Sequence, residues 1–210
     1  TLDQAEEYFQ RALEVNPDYA RAYVGLGETY FLRAMGVPPV DTFAEISQPD
    51  LDLAEKQYQA ALSAADQPPT ADIPTKVDFG LGRLSLVQYQ ISGEQSLLTA
   101  ARASFQAVVE AGEKGNDRIA ELVAQAHGHL GSIALLSSDL ETAQREYQIA
   151  AESTQTPRAK AAFWAQLGSV YDQVGNRDLA IEAYQKAVSI AIDEDSRQNY
   201  QQSLDQIQNR

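Results

Sequence analysis

His127 and His129 are the two imidazoles of the chain, and they stand two residues apart in a stretch with helical spacing. On a helix that separation turns them ~200° from each other, so they cannot easily share a metal ion. His127 reads as a packing residue and His129 as an exposed one. The acidic clusters Glu6-Glu7 and Asp193-Glu194-Asp195 lack the ligand spacing of a calcium loop. The first suits a helix N-terminus, where carboxylates face unpaired N–H groups, and the second a solvated junction. With no cysteine in the chain, disulfides and thiolate metal sites are excluded. None of the sequences G-x-S-x-G, G-x-x-x-x-G-K-[ST] or H-E-x-x-H occurs. The residues therefore call for no catalytic centre, no cofactor and no metal.

Charge narrows the partners. Thirty acidic and 16 basic residues give a formal net charge of −14, which argues against nucleic acid. A nucleic-acid binder needs a basic footprint to displace counterions from phosphates. A hydrophobic fraction of 44% is ample for a core, and the prominence of Ala favours helices in close contact. No apolar run approaches the ~18 residues of a membrane-spanning helix, and no signal peptide is recognisable. The chain begins at Thr1, already inside a helical pattern, and reads as an excised piece of a longer protein. Its compartment stays open.

The elements that would carry any binding chemistry announce themselves between Trp164 and Ala187. Trp164, Leu167, Gly168 and Tyr171 share one helical face, a turn follows at Gly175-Asn176, and Ala180, Tyr184 and Ala187 continue at spacings of four and three. This resembles the tetratricopeptide (TPR) repeat, W-x2-L-G-x2-Y followed by A-x3-F in a period of about 34 residues. Losses accumulate elsewhere, but the register persists. Tyr23, Leu26, Gly27 and Tyr30 repeat it, with Ala54, Tyr58 and Ala61 arriving about 15 residues late. Leu81-Gly82 and Leu130-Gly131 repeat it again, paired with Ala101 and Phe105, then Ala143, Tyr147 and Ala150. Asp78 and His127 stand where the aromatic would be.

The resemblance implies an all-α fold, a right-handed α-α superhelix of about ten helices in stacked antiparallel pairs plus a C-terminal capping helix. Its expected divisions within a single array are a second-helix half repeat (1–17), a repeat with an inserted loop at 35–50 (18–66), a divergent repeat (71–113), a third (116–155), the best match (158–194) and a cap (195–210). The late second-helix signal at Ala101 means that one or both helices of the divergent repeat are extended. Asp3 is the expected N-cap of the first helix, with Glu6 completing a capping box. Tyr200, Leu204 and Ile207 fall on one face of the cap. The leucines of the signature are expected as knobs between paired helices, and its glycines as points of close contact.

The family binds proteins in a concave groove lined by its first helices. Counted from each signature glycine, the groove stripe holds Arg21, Glu28 and Phe31, then Lys76, Phe79 and Arg83. It continues through Gln125 and Ser132 to Asp172 and Gln173. Cations beside Phe31 and Phe79 would suit a peptide carrying a carboxylate and an apolar anchor. The alternative is that these aromatics are partly buried and the cations pair with acids such as Glu28. Val24, Glu28 and Phe79 occupy places where a chaperone-tail clamp would carry Lys and Asn, a departure that argues against that ligand. The inserted loop, with Met35, Val37, Phe43 and Ile46, would gate the groove, contact a partner, or pack on its own repeat.

The reading is a non-enzymatic adaptor or scaffold that binds a peptide segment or partner protein, without nucleic acid and without membrane insertion. Two alternatives stand beside it: a spacer that forms homo-oligomers through its open N-terminal end, and a regulatory arm of a multidomain protein.

Overall fold

A computed structural model describes residues 1–36, 46–68 and 72–210. Val37 and Phe43 of the inserted loop lie outside these. Among the described residues the protein is all-α: α1 (Leu2–Val15), α2 (Ala20–Met35), α3 (Gln48–Ser63), α4 (Ile73–Ser92), α5 (Gln95–Glu113), α6 (Ala120–Leu136), α7 (Leu140–Ser153), α8 (Pro157–Gln173), α9 (Arg177–Ile190) and α10 (Glu194–Gln208). Both helices of the divergent repeat are extended, α4 to 20 residues and α5 to 19. The chain forms two compact units, Thr1–Val108 and Val109–Arg210, each described by itself below.

Local chemistry explains the helix ends. Pro49 and Pro157 stand in the first turns of α3 and α8, where a missing N–H costs nothing. Gly93 ends α4 in the left-handed region at φ 72°, which only glycine enters without strain. Asp139, Asn176 and Asp193 cap α7, α9 and α10 by accepting from backbone N–H groups. The first helix departs from expectation. Its cap is Thr1, which accepts from the Gln4 N–H in a reciprocal capping box, while Asp3 lies inside the helix. Asp3 and Glu6 instead reach Arg33 on α2, at 3.1 and 2.6 Å.

In the first unit α1 runs antiparallel to α2. Glu6 lies beside Tyr30 and Arg33, while Phe9 lies against Gly25. The core joins α2, α3 and α4 through Leu26, Tyr30, Leu51, Tyr58, Val77 and Leu84. Ile46 is buried in that core and Met35 packs against it. In the second unit Leu167, Val170, Tyr171, Ala183 and Tyr184 form the centre. The capping helix α10 lays Leu204 and Ile207 into it with Tyr200 packed alongside, and its other residues are polar.

One contact recurs in both units. A Cβ placed on Gly27 would stand 2.6 Å from the Tyr58 ring, and one on Gly168 would stand 2.8 Å from the Tyr184 ring. Gly82 meets Phe105 and Gly131 meets Tyr147 in the same way, each at 3.0 Å. The signature glycine is thus the seat of the aromatic from the paired helix, and that is why the pattern demands both. The leucines divide. Leu26 and Leu167 are buried, whereas Leu81 and Leu130 are only partly so.

Candidate protein-binding surface

The expected stripe residues of the first unit lie on α2 and α4, which touch each other and share α3 as a neighbour. Helical spacing sets Arg21 and Glu28 seven residues apart on α2, and Lys76 and Arg83 seven apart on α4. Each pair therefore lies along one face, about 10 Å from end to end. The two members of each pair differ in environment. Arg21 and Lys76 are exposed and form no ion pair among the described residues.

Arg83 sits in a built cluster. Its Nη1 donates to both carboxylate oxygens of Glu28, at 2.8 and 2.9 Å. Its guanidinium lies 4.1 Å from the centre of the Phe31 ring and 5.8 Å from that of Phe79. Tyr58 donates from its hydroxyl to Glu28 at 3.3 Å. Burial pushes the Tyr58 phenol well above its ordinary value, and the Glu28 charge adds to that. Phe31 and Phe79 are themselves buried, and Phe79 meets Phe105 edge to face at 5.8 Å. The guanidinium is thereby held over an aromatic floor by a fixed carboxylate.

In the second unit the stripe residues are quieter. Gln125 donates to Glu121 one helical turn earlier, and Ser132 shares a hydrogen bond with the Tyr147 hydroxyl at 2.9 Å. Asp172 pairs with Arg210 at 3.1 Å, and Gln173 donates to Ser169. The polar weight of this unit lies elsewhere. His127, in the signature aromatic slot, meets Glu146 at 2.7 Å between α6 and α7, and Arg145 also pairs with Glu146. Burial raises the Glu146 carboxyl, but the hydrogen bonds from His127 and Arg145 overcome it and leave the group below its ordinary value. His129 has interactions of its own within the protein, and among the described residues no three metal-ligating side chains gather.

Spacing alone did not single out two further features. Tyr8 and Val15 on the outward side of α1 are 71% and 89% exposed, beside a cavity of 580 Å³ that Tyr19 and Asp66 also line. Trp164 carries the Lys186 ammonium 4.1 Å above its ring. Exposure of an apolar side chain depends on which neighbour is missing, and no periodicity encodes that.

Among the described residues no helix is long and apolar enough to cross a membrane. Family models described as tetratricopeptide repeats match residues 2–34 and 161–191. No curated protein matches the chain. Among solved structures, a thermophilic TPR protein of Thermus thermophilus is similar over 97% of this chain and 90% of its own, with a TM-score of 0.65 and 20% identity. YrrB, a TPR protein with an unusual peptide-binding site, is similar over 96% of this chain and 84% of its own, with a TM-score of 0.55 and 21% identity. A chain of the APC/C hetero-tetramer Cut9-Hcn1 is similar over 99% of this chain, with a TM-score of 0.62 and 19% identity, and this chain spans 33% of its length. These identities speak for the fold. With the repeat matches at both ends and the glycine–aromatic seats between them, the chain is a helical repeat protein of the tetratricopeptide superfamily.

Proposed function

We propose that this protein binds a segment of a partner protein along the α2–α4 face of its first unit, acting as an adaptor or scaffold rather than an enzyme. The observation that carries the reading is the unequal state of the cations there. Arg83 is fixed on Phe31 by Glu28, while Arg21 and Lys76 stand exposed two turns away on the same stripes. A rigid surface with two exposed cations suits a segment bearing carboxylates and an apolar anchor, and its preorganisation leaves most of the ordering cost to the ligand. An interface of ordinary size, about 800 Å² per partner, is within reach of a repeat array. The net charge of −14 makes nucleic acid a poor partner.

A peptide display library panned against the chain tests this. Selected sequences should be acidic with an apolar residue, and they should be lost when the same pool is panned against an Arg21→Glu/Lys76→Glu variant. Equal recovery on both proteins would refute the assignment.

A second reading draws on Tyr8 and Val15. Their exposure on α1 favours self-association through that end. Light scattering of the chain beside a Tyr8→Ser/Val15→Ser variant decides it, since a monomer in both excludes this route.

A further inference from the structure

We infer that the cleft between α7, α8 and α9 of the second unit is a binding site for one cationic headgroup, an alkylammonium or guanidinium, which the protein's own Lys186 occupies in the absence of a ligand. This surface is separate from the α2–α4 face, and the inference stands independently of the function proposed there.

The cleft has a volume of 170 Å³ and is lined by Trp164, Tyr171, Gln148, Glu152, Glu182 and Lys186. That is below the ~300 Å³ at which drug-sized ligand pockets begin, and it suits a single headgroup. Its walls are those a desolvated cation seeks, an indole face and a phenol ring with carboxylates at the rim. Lys186 already shows the binding mode. Its ammonium sits 4.1 Å from the centre of the Trp164 ring and 2.8 Å from Glu182.

Two observations indicate room for an external cation. The first is charge. Glu152 and Glu182 both line the cleft against the single ammonium of Lys186, and Glu152 takes only a hydrogen bond from Gln148, at 3.0 Å, with no ion pair among the described residues. Among the described residues one carboxylate of the cleft is left without an ion pair. Tyr171 registers the same field. Its phenol is raised first by burial and then by the charges of Glu182 and Glu152, with Lys186 opposing them. The second observation is that the occupant is loosely held. The Lys186 and Glu182 side chains are 42% and 57% exposed, a solvated pair of the weak kind, so the ion pair adds little to the cost of displacement.

Trp164 is the only tryptophan in the chain, so its fluorescence reports the site directly. The full chain is titrated with tetramethylammonium chloride and, separately, with a short Gly-Lys peptide, each against sodium chloride at equal ionic strength. A saturable change with either probe is expected. Saturation by tetramethylammonium alone identifies a small free quaternary ammonium as the source, and saturation by the peptide identifies a protonated amine carried on a chain. Lys186→Met should tighten binding several-fold by vacating the ring, and Glu152→Gln should weaken it several-fold. Because Glu152 holds no ion pair among the described residues, its variant keeps the test decisive even if Lys186→Met folds poorly. A response no different from sodium chloride, or an affinity unchanged in Glu152→Gln, would overturn the inference.

Discussion

Arg83 and Glu28, 55 residues apart in the chain, meet across α4 and α2 with both carboxylate oxygens within 2.9 Å of one guanidinium nitrogen. The pair closes over Phe31 and ties the first helices of two successive repeats together. A double-mutant cycle of Arg83→Ala and Glu28→Ala, read by urea denaturation, should give a coupling of about 1 kcal/mol. That sits at the top of the range for solvent-accessible pairs, because the stack on Phe31 fixes the geometry while Glu28 remains open to screening. Arg83→Lys should recover only part of the coupling, since a compact ammonium lacks the planar guanidinium's contact area with the ring.

The glycine–aromatic seats predict an order of severity. A methyl at Gly27 would stand 2.6 Å from the buried Tyr58 ring, whereas at Gly131 it would stand 3.0 Å from Tyr147. Gly27→Ala should lower stability by about 1–3 kcal/mol through overpacking, with Gly131→Ala costing less. Denaturant midpoints of the two variants check the order, and equal midpoints would contradict it.

Acid should release α1 early. Hydrogen bonds from Arg33 and Tyr30 hold the Glu6 carboxyl below its ordinary value. A lowered folded value contributes stability above the unfolded one, about 4.3 for glutamate, and that contribution is lost as pH falls through the folded value. Glu146 and Glu121 act in the same direction in the second unit. Burial raises both, but for Glu121 the hydrogen bonds from Thr154, Gln155 and Thr156 prevail. Glu6→Gln should flatten the acid limb of the stability profile, and the protection factors of the α1 amides in the parent, taken relative to the intrinsic exchange rate at each pH, should fall below the ordinary glutamate range.

Asp78 pulls the other way. It fills the signature aromatic slot of α4, is partly buried, and makes no hydrogen bond or ion pair among the described residues. Burial raises its carboxyl, so its ionisation costs stability as pH rises through the unfolded value. Asp78→Leu should therefore stabilise the protein at neutral pH, by about 0.5–2 kcal/mol in thermal or urea unfolding.

Much of this architecture is written in spacing. The Leu-Gly dipeptides and the aromatics that follow them locate the pairs α2–α3, α4–α5, α6–α7 and α8–α9, because a helix pair needs a small residue opposite a ring. The late aromatic at Phe105 gave away an extension in one or both of the paired helices, and the structure lengthens both α4 and α5. Capping was less legible. Thr1 and Asp3 both offer an oxygen at the start of α1; Thr1 takes the cap, while Asp3 pairs with Arg33 across the helix pair. The candidate stripe was legible as positions but not as states. That Arg83 is committed to Glu28 while Arg21 is exposed depends on packing between repeats, and the sequence left both arrangements open. Leu81 and Leu130 keep the signature yet are only partly buried, since the depth of a knob depends on the neighbouring repeat.

The most direct test of the proposed binding surface is the affinity of a library-selected acidic peptide for the parent chain and for Arg21→Glu/Lys76→Glu, alongside their melting temperatures. Both side chains are exposed and form no ion pair among the described residues, so the melting temperature should hold while affinity falls by an order of magnitude or more, about 1.4 kcal/mol per tenfold. Undiminished affinity in a folded double variant would contradict binding at the α2–α4 face.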